Sequence, residues 1–381
     1  MAIKFIVNMK YDIVGSFLLP EKLISARREH AAGAIDRHSL LAAEDEAILQ
    51  LVEHQLEAGL SEATSGEFRR NYWDKDFWFG LEGISCERIE SGHLYQQLDP
   101  FTDLMRFTGR IACNPSHPFF DDFSFLHNAC ADRIAARQTL PSPANLYLEI
   151  LNMTDGNPDL VYPAPDSLLE DIATAYNKTI LHFYEIGCRH LQLDDTACGL
   201  LCEDNTTKRL LQGGVDLIAL HEQIIRLFND SIAGLPADME LSLYISGGDT
   251  IVPEWESMQL PDNIMPKILS RVNAGKFFLP FTLGNDRQLE VLSHIPAGKK
   301  VVLGLADAHT PYPERTDDIL DTIGKASEHI AMADLSVSPK AGFKLSSYAS
   351  RGLTYADQWA KIAGLAAVAQ AAGQVPAPTA P

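Results

Sequence analysis

The feature that most constrains the fold is a rhythm: short runs of strand-forming residues alternate with longer amphipathic segments nearly from end to end. Strand-like runs fall at 13–17, 61–66, 146–151, 190–194, 241–246, 276–281, 300–305 and 335–338. Between them, apolar residues recur three and four apart over 39–60, 167–187, 215–233, 316–330 and 355–371, the spacing of helices with one buried face. Runs that are apolar throughout, such as "KKVVLGLA", suit parallel strands covered on both sides. Eight such units predict an α/β fold, a (β/α)8 TIM barrel in preference to a doubly wound sheet. The stretch 73–143, rich in aromatics, Pro and Asp, breaks the rhythm. It is expected to be an excursion between strands two and three, inserted over the barrel mouth. Residues 1–370 then form a single barrel domain, and the low-complexity end "AAGQVPAPTAP" (371–381) is a disordered tail.

Charge narrows the partners. With 31 basic against 51 acidic residues the formal charge is −20, which repels nucleic-acid phosphates and anionic membranes at long range. The six cysteines are too scattered for a disulfide framework, and there is neither a secretory leader nor a run of 18 apolar residues. A cytoplasmic protein acting on a small molecule is expected, with no nucleic-acid or membrane partner. Self-association is left open.

In a barrel the chemistry gathers where strands end at their C-terminal face. Polar residues stand there: Ser16 after strand one, Glu67 after strand two, Asp194 and Asp195 after strand four, Ser246 and Asp249 after strand five, Asp307 and His309 after strand seven. Asp194 ends an apolar strand, where an ionised carboxylate needs a partner. Glu67 has two competing readings, an ion pair with Arg69 or Arg70 and a receiver for a ligand ammonium. Asp307 and His309 are spaced to set an imidazole near an orienting carboxylate. Cys198 and Cys202, close behind His190 and Asp194, are a weak metal pattern and read better as small buried residues, so no metal ligand is assigned. No phosphate-cradling glycine loop and no Gly-x-Ser-x-Gly elbow occurs.

Several stretches in fixed order, "VGSFLLP" (14–20), "ATSGEFRR" (63–70) followed by "WDKDFW", "PSP" (141–143), "LQLDD" (191–195), "LGLADAHTP" (303–311) and "SPKAGF" (338–343), resemble the cobalamin-independent methionine synthases. The likeness is greatest to short, single-barrel bacterial members of 5-methyltetrahydropteroyltriglutamate–homocysteine methyltransferase type. The resemblance implies that Val14, Gly15, Ser16, Glu67 and Asp194 hold the amino-acid end of a substrate. It implies methyltetrahydrofolate as methyl donor and a zinc held by a His-x-Cys pair, a Glu and a Cys. At those four positions this chain has Tyr244, Ser246, Pro280 and Ala341, so zinc is not expected. The glycines beyond Ser246 are expected to let a ligand or loop approach closely.

Three functions are consistent with these residues. One is an enzyme acting without zinc on an amino-acid-like, thiol or thioether substrate, by methyl transfer or related acid/base chemistry, with His309, Asp307, Tyr244 and Asp249 as catalytic candidates and Ser246 in the binding pocket. The second is true methylation of homocysteine from methyltetrahydrofolate. The third is a non-catalytic metabolite-binding protein.

Overall fold

A computed structural model of the chain describes residues 9–90, 101–152, 161–162, 164–246, 264–344 and 352–373. In chain order the elements are β1 (Lys10–Tyr11), α1 (Glu21–Ala31), α2 (Arg37–Glu57), β2 (Glu62–Ala63), α3 (Lys75–Trp78), β3 (Glu82–Glu90), β4 (Phe101–Ala112), α4 (Pro118–Cys130), β5 (Ala135–Pro141), α5 (Pro143–Asn152) and α6 (Pro165–Glu185). They continue with β6 (His190–Asp195), α7 (Ala197–Leu200), α8 (Asp204–Gln212), α9 (Leu217–Ser231), β7 (Glu240–Ile245), α10 (Ile264–Arg271), β8 (Lys276–Pro280), β9 (Lys300–Ala306), α11 (Thr316–Ala326), β10 (Leu335–Pro339) and α12 (Tyr355–Ala372).

Eight of the strands form one parallel sheet in the order β1-β10-β9-β8-β7-β6-β5-β2. The sheet curls until the segments beyond its two outer strands meet. Ser16 and Gly66 form a parallel bridge there, and the Phe17 N–H donates to the Gly66 carbonyl at 3.2 Å. The predicted α/β architecture is therefore present, with helices covering the sheet. In α2, Asp36 caps the first turn by accepting the Ser39 N–H at 2.8 Å, and Ile48, Leu51 and Val52 are buried on one face.

The sequence reading errs at the first and third strands: β1 is Lys10–Tyr11, ahead of the expected run at 13–17, which contributes only the Ser16 bridge. Residues 146–151 lie in helix α5, and the third strand is β5, whose sequence "ARQT" is polar. A short apolar run is compatible with either element, and Pro143 at the first turn favours a helix. Because β5 falls inside 73–143, that stretch is not an insertion throughout. The elements added between β2 and β5 are α3, the antiparallel hairpin of β3 and β4, and α4. The hairpin is tied to α6 by Arg110–Asp171 at 2.7 Å, and the Ile111 N–H donates to the Tyr162 hydroxyl at 2.6 Å. Helix α12 runs to Ala372, past the expected boundary at 370, while residues 374–381 of the expected tail lie outside the described residues. No helix among the described residues is long and apolar enough to cross a membrane.

Alternation along each strand sets what faces the interior of the curled sheet, since residues two apart share a face. At the N-terminal ends this gives a layer of charge. Arg137, with its side chain wholly buried, donates to Asp12 at 2.8 Å and Glu62 at 3.0 Å, and Lys276 lies 2.8 Å from Glu62 and 2.9 Å from Glu240. Burial alone would raise the Glu62 carboxyl, but Arg137 and its other cationic neighbours hold it well below its usual range. Glu62, His190 and Glu240 could in principle ligate a metal, yet the Lys276 ammonium already bonds both carboxylates. Two residues further along, Val14, Tyr244, Phe278 and Val302 form a small buried cluster apart from the main core. The next inward positions are Ser16, Asp194, Ser246 and Pro280, at the C-terminal ends.

Candidate functional site

The site begins with two close turns. Glycine is required at position 15, because a Cβ there would lie 2.9 Å from Thr139 Cγ2. After β2, Gly66 and Glu67 are both left-handed, with φ of 63° and 58°. A glycine adopts that conformation freely, whereas for Glu67 it costs about 1 kcal/mol or more and needs support from its surroundings. Its carboxylate supplies part of that support: Oε1 accepts the Thr139 hydroxyl at 3.1 Å and Arg70 at 3.2 Å. Its carbonyl supplies the rest, accepting the Lys344 ammonium at 2.9 Å. Glu67 is thus buried and paired with Arg70, while Arg69 turns away to Asp45 and Asp122.

Asp194 ends β6 inside this ring. Gln192 donates from one amide group to Asp194 Oδ1 at 2.7 Å and to the Val14 carbonyl at 2.6 Å, tying β6 to the glycine turn. Burial, followed by the neighbouring charge of Glu67, pushes the Asp194 carboxyl up to about 8. Asp194 is therefore largely protonated at neutral pH, a neutral acid beside a paired carboxylate. Asp195 has a different task. It accepts the Ser142 hydroxyl at 2.6 Å and the Cys198 N–H at 2.7 Å, capping the turn into α7. Cys198 and Cys202 are buried, and burial pushes both thiols upward, the latter to about 12.

The segment after β10 closes the site. Phe343 N–H donates to the Ser16 carbonyl at 3.0 Å and Lys344 N–H to the Ser16 hydroxyl oxygen at 3.3 Å. A Cβ on Gly342 would stand 2.0 Å from Ser16 Oγ, so only glycine allows this approach. His309 is buried, and its Nε2 lies 3.1 Å from the Gly342 carbonyl. The carboxylate of Asp307 accepts the His309 backbone N–H at 2.8 Å, so it caps the turn, and the Gly342 carbonyl is a partner of the imidazole. Tyr244 donates its hydroxyl to the Lys340 carbonyl at 3.0 Å and is also hydrogen-bonded by Ser246; burial raises its phenol far above the usual range. Asp249, with the two glycines before it, lies outside the described residues.

The structure thus gathers Val14, Gly15, Ser16, Glu67, Asp194, Tyr244, Ser246 and His309 around the C-terminal ends of the strands. Arg70 joins them as the ion-pair partner expected for Glu67, and Thr139, Gln192 and Lys344 join them without having been singled out in the sequence. Thr139 was hidden by the misplaced third strand, and Lys344 stands one residue beyond the "SPKAGF" stretch. At the four positions where the resemblance implies zinc ligands, Tyr244 and Ser246 offer hydroxyls, and Pro280 and Ala341 offer no ligand atom. That set does not fit zinc, which favours imidazole, thiolate and carboxylate.

No family model matches the chain. The uncharacterized protein YxjG of Bacillus subtilis strain 168 is 31% identical over 353 residues, covering 92% of this chain and 91% of that protein. A solved structure from Listeria monocytogenes, provisionally named a vitamin-B12-independent methionine synthase, is 31% identical, aligns over 97% of this chain and 98% of its own, and superposes with a TM-score of 0.73. The chain belongs to the cobalamin-independent methionine synthase-like family. A B12-independent methionine synthase from Shewanella sp. W3-18-1, solved with selenomethionine, shares the fold at 18% identity, a TM-score of 0.68 and coverage of 95% and 97%. The methionine synthase of Saccharolobus islandicus is 20% identical over 336 residues, 87% of each chain. Family membership thus rests on matches that span nearly the whole barrel.

Proposed function

We propose that the chain is a methyltransferase-like enzyme that seats a small amino-acid-like thiol or thioether substrate and transfers a methyl group, or performs related acid/base chemistry, without the family's zinc. The observation that carries this reading is the pairing of two buried carboxyls, Glu67 and Asp194, beside the Ser16 turn. A ligand ammonium entering there would take the place of the Asp194 proton. The released proton leaves a carboxylate that the ammonium neutralises, and Ser16 with the backbone of its turn supplies polar contacts to a ligand carboxylate. His309, whose imidazole meets the Gly342 carbonyl at 3.1 Å, is the proposed carrier of the proton. Methyltetrahydrofolate remains the donor suggested by the family. Without zinc, a thiol acceptor keeps its ordinary pKa near 8.5, so its thiolate would have to come from general-base help.

The test combines binding and turnover. Isothermal titration with L-homocysteine and L-methionine, and a methyl-transfer assay from methyltetrahydrofolate, are run on the native protein, Glu67→Gln and Asp194→Asn. Loss of both binding and turnover in each variant, with an unchanged circular dichroism spectrum, supports the reading, whereas unaltered binding refutes it. Full homocysteine methylation by the native protein would favour the second reading, authentic methionine synthesis, which the 31% identity to the Listeria protein supports. Saturable binding with no turnover of any methyl donor would favour a metabolite-binding protein.

A further inference from the structure

The residues after β10 make several direct links to other strand ends. Lys340 N–H donates to the Ala306 carbonyl of β9 at 2.7 Å. Its own carbonyl accepts the Tyr244 hydroxyl from β7 at 3.0 Å, and the Gly342 carbonyl meets His309 Nε2 at 3.1 Å. The Phe343 and Lys344 N–H groups donate to the carbonyl and hydroxyl of Ser16, at 3.0 and 3.3 Å. The Lys344 ammonium then reaches the carbonyls of Glu67 at 2.9 Å and Arg70 at 3.4 Å, beyond β2. Five consecutive residues therefore join the ends of β1, β2, β7 and β9 to that of β10.

A zinc ion bound at positions 244, 246, 280 and 341 would join β7, β8 and β10, and of these strand ends the segment already connects β7 to β10. The Tyr244 hydroxyl makes the β7-to-β10 part of that connection directly. Its proton is committed to the Lys340 carbonyl. Pro280 and Ala341 add no donor. We infer that residues 340–344 form a hydrogen-bonded hub, with Tyr244 as its positioning residue, which assembles the pocket in place of a metal and leaves no zinc site there. The inference deepens the proposed function, since it concerns the same pocket. Zinc content and thermal stability are nevertheless read without any substrate, so its failure is separable from that of the amino-acid reading.

The experiment uses untagged full-length protein expressed with added zinc, its metal content measured by plasma mass spectrometry, and thermal unfolding followed with and without dipicolinate. Expected are well under one zinc per chain and a melting temperature that the chelator does not move. In Tyr244→Phe, which keeps the ring and removes the strut, a fall of about 1–3 °C is expected in the same scan. Near-stoichiometric zinc whose removal lowers the melting temperature would overturn the inference. So would a Tyr244→Phe protein as stable as the native one. If Tyr244→Phe does not fold, the zinc content and chelator response of the native protein still decide the matter.

Discussion

The ammonium of Lys344 sits 2.9 Å from the carbonyl oxygen of Glu67, the residue held in a left-handed turn with φ of 58°. The bond links the segment after the last strand to the turn after the second, and it stabilises the strained conformation that aims the Glu67 carboxylate. Lys344→Met leaves two buried carbonyls without this donor. A loss of about 1–3 kcal/mol in urea unfolding is expected, together with weaker binding of L-methionine. Lys344→Arg should restore part of the stability, because it returns a donor to the same place.

Asp194 predicts how stability varies with pH. Its carboxyl is raised to about 8 in the folded protein, so the native state holds a proton that the unfolded state releases near the ordinary value of about 4. The resulting stabilisation is fully present below about pH 4 and is lost as pH rises through about 8. The charged groups bearing on it are Glu67, Arg70 and Arg137. Asp194→Asn should therefore flatten the profile between those limits and make the protein about 1–3 kcal/mol more stable than native at pH 8, measured by guanidinium unfolding across pH.

The same proton couples to ligand binding. If an ammonium replaces it, native protein titrated with L-methionine below pH 8 should release close to one proton. Calorimetry in buffers of different ionisation enthalpy reads this directly. Affinity should rise with pH up to about 8, and a pH-independent affinity with no proton release would exclude Asp194 as the receiving group.

Gly342 and Gly324 provide a contrast. A Cβ at Gly342 would meet Ser16 Oγ at 2.0 Å, whereas at Gly324, on α11, nothing lies within 4 Å. Gly342→Ala should cost about 1–3 kcal/mol and impair ligand binding, through overpacking at the site. Gly324→Ala should instead stabilise by about 0.5–1 kcal/mol, since it favours the helix without a clash. Thermal unfolding of the two variants checks both signs.

Arg137 tests the charged layer at the other end of the strands. Removing it as Arg137→Met leaves Asp12 and Glu62 to share Lys276, and a loss of about 3–5 kcal/mol is expected from the uncompensated buried charge. Adding Glu62→Gln should recover part of that loss in denaturant titrations.

Six of the eight strands, β2 and β6 to β10, fall on the runs read from the sequence, the last five of them on largely buried segments. The first lies at Lys10–Tyr11, ahead of the expected run at 13–17, and the third was missed altogether. In β5 the inward positions Arg137 and Thr139 face the charged layer and the site, so the strand carries polar residues where apolar ones were sought. The site was legible wherever a polar residue interrupts an apolar strand end, as at Asp194. It was not legible where function depends on backbone: nothing in the string "GEF" reveals the left-handed Glu67, and nothing in "AHTP" reveals that His309 meets a carbonyl 33 residues away. Those contacts arise only when the sheet curls and its ends meet.

The contact of Gly342 with Ser16 on one side and His309 on the other has a mechanical consequence. A ligand that pulled on the Ser16 hydroxyl would also stretch its bond with the Lys344 N–H, two residues beyond the carbonyl that meets the imidazole. Under the proposed function, the contact to the substrate and the contact to the proton carrier are then neighbours on one short segment, although Ser16 and His309 stand nearly three hundred positions apart in the chain.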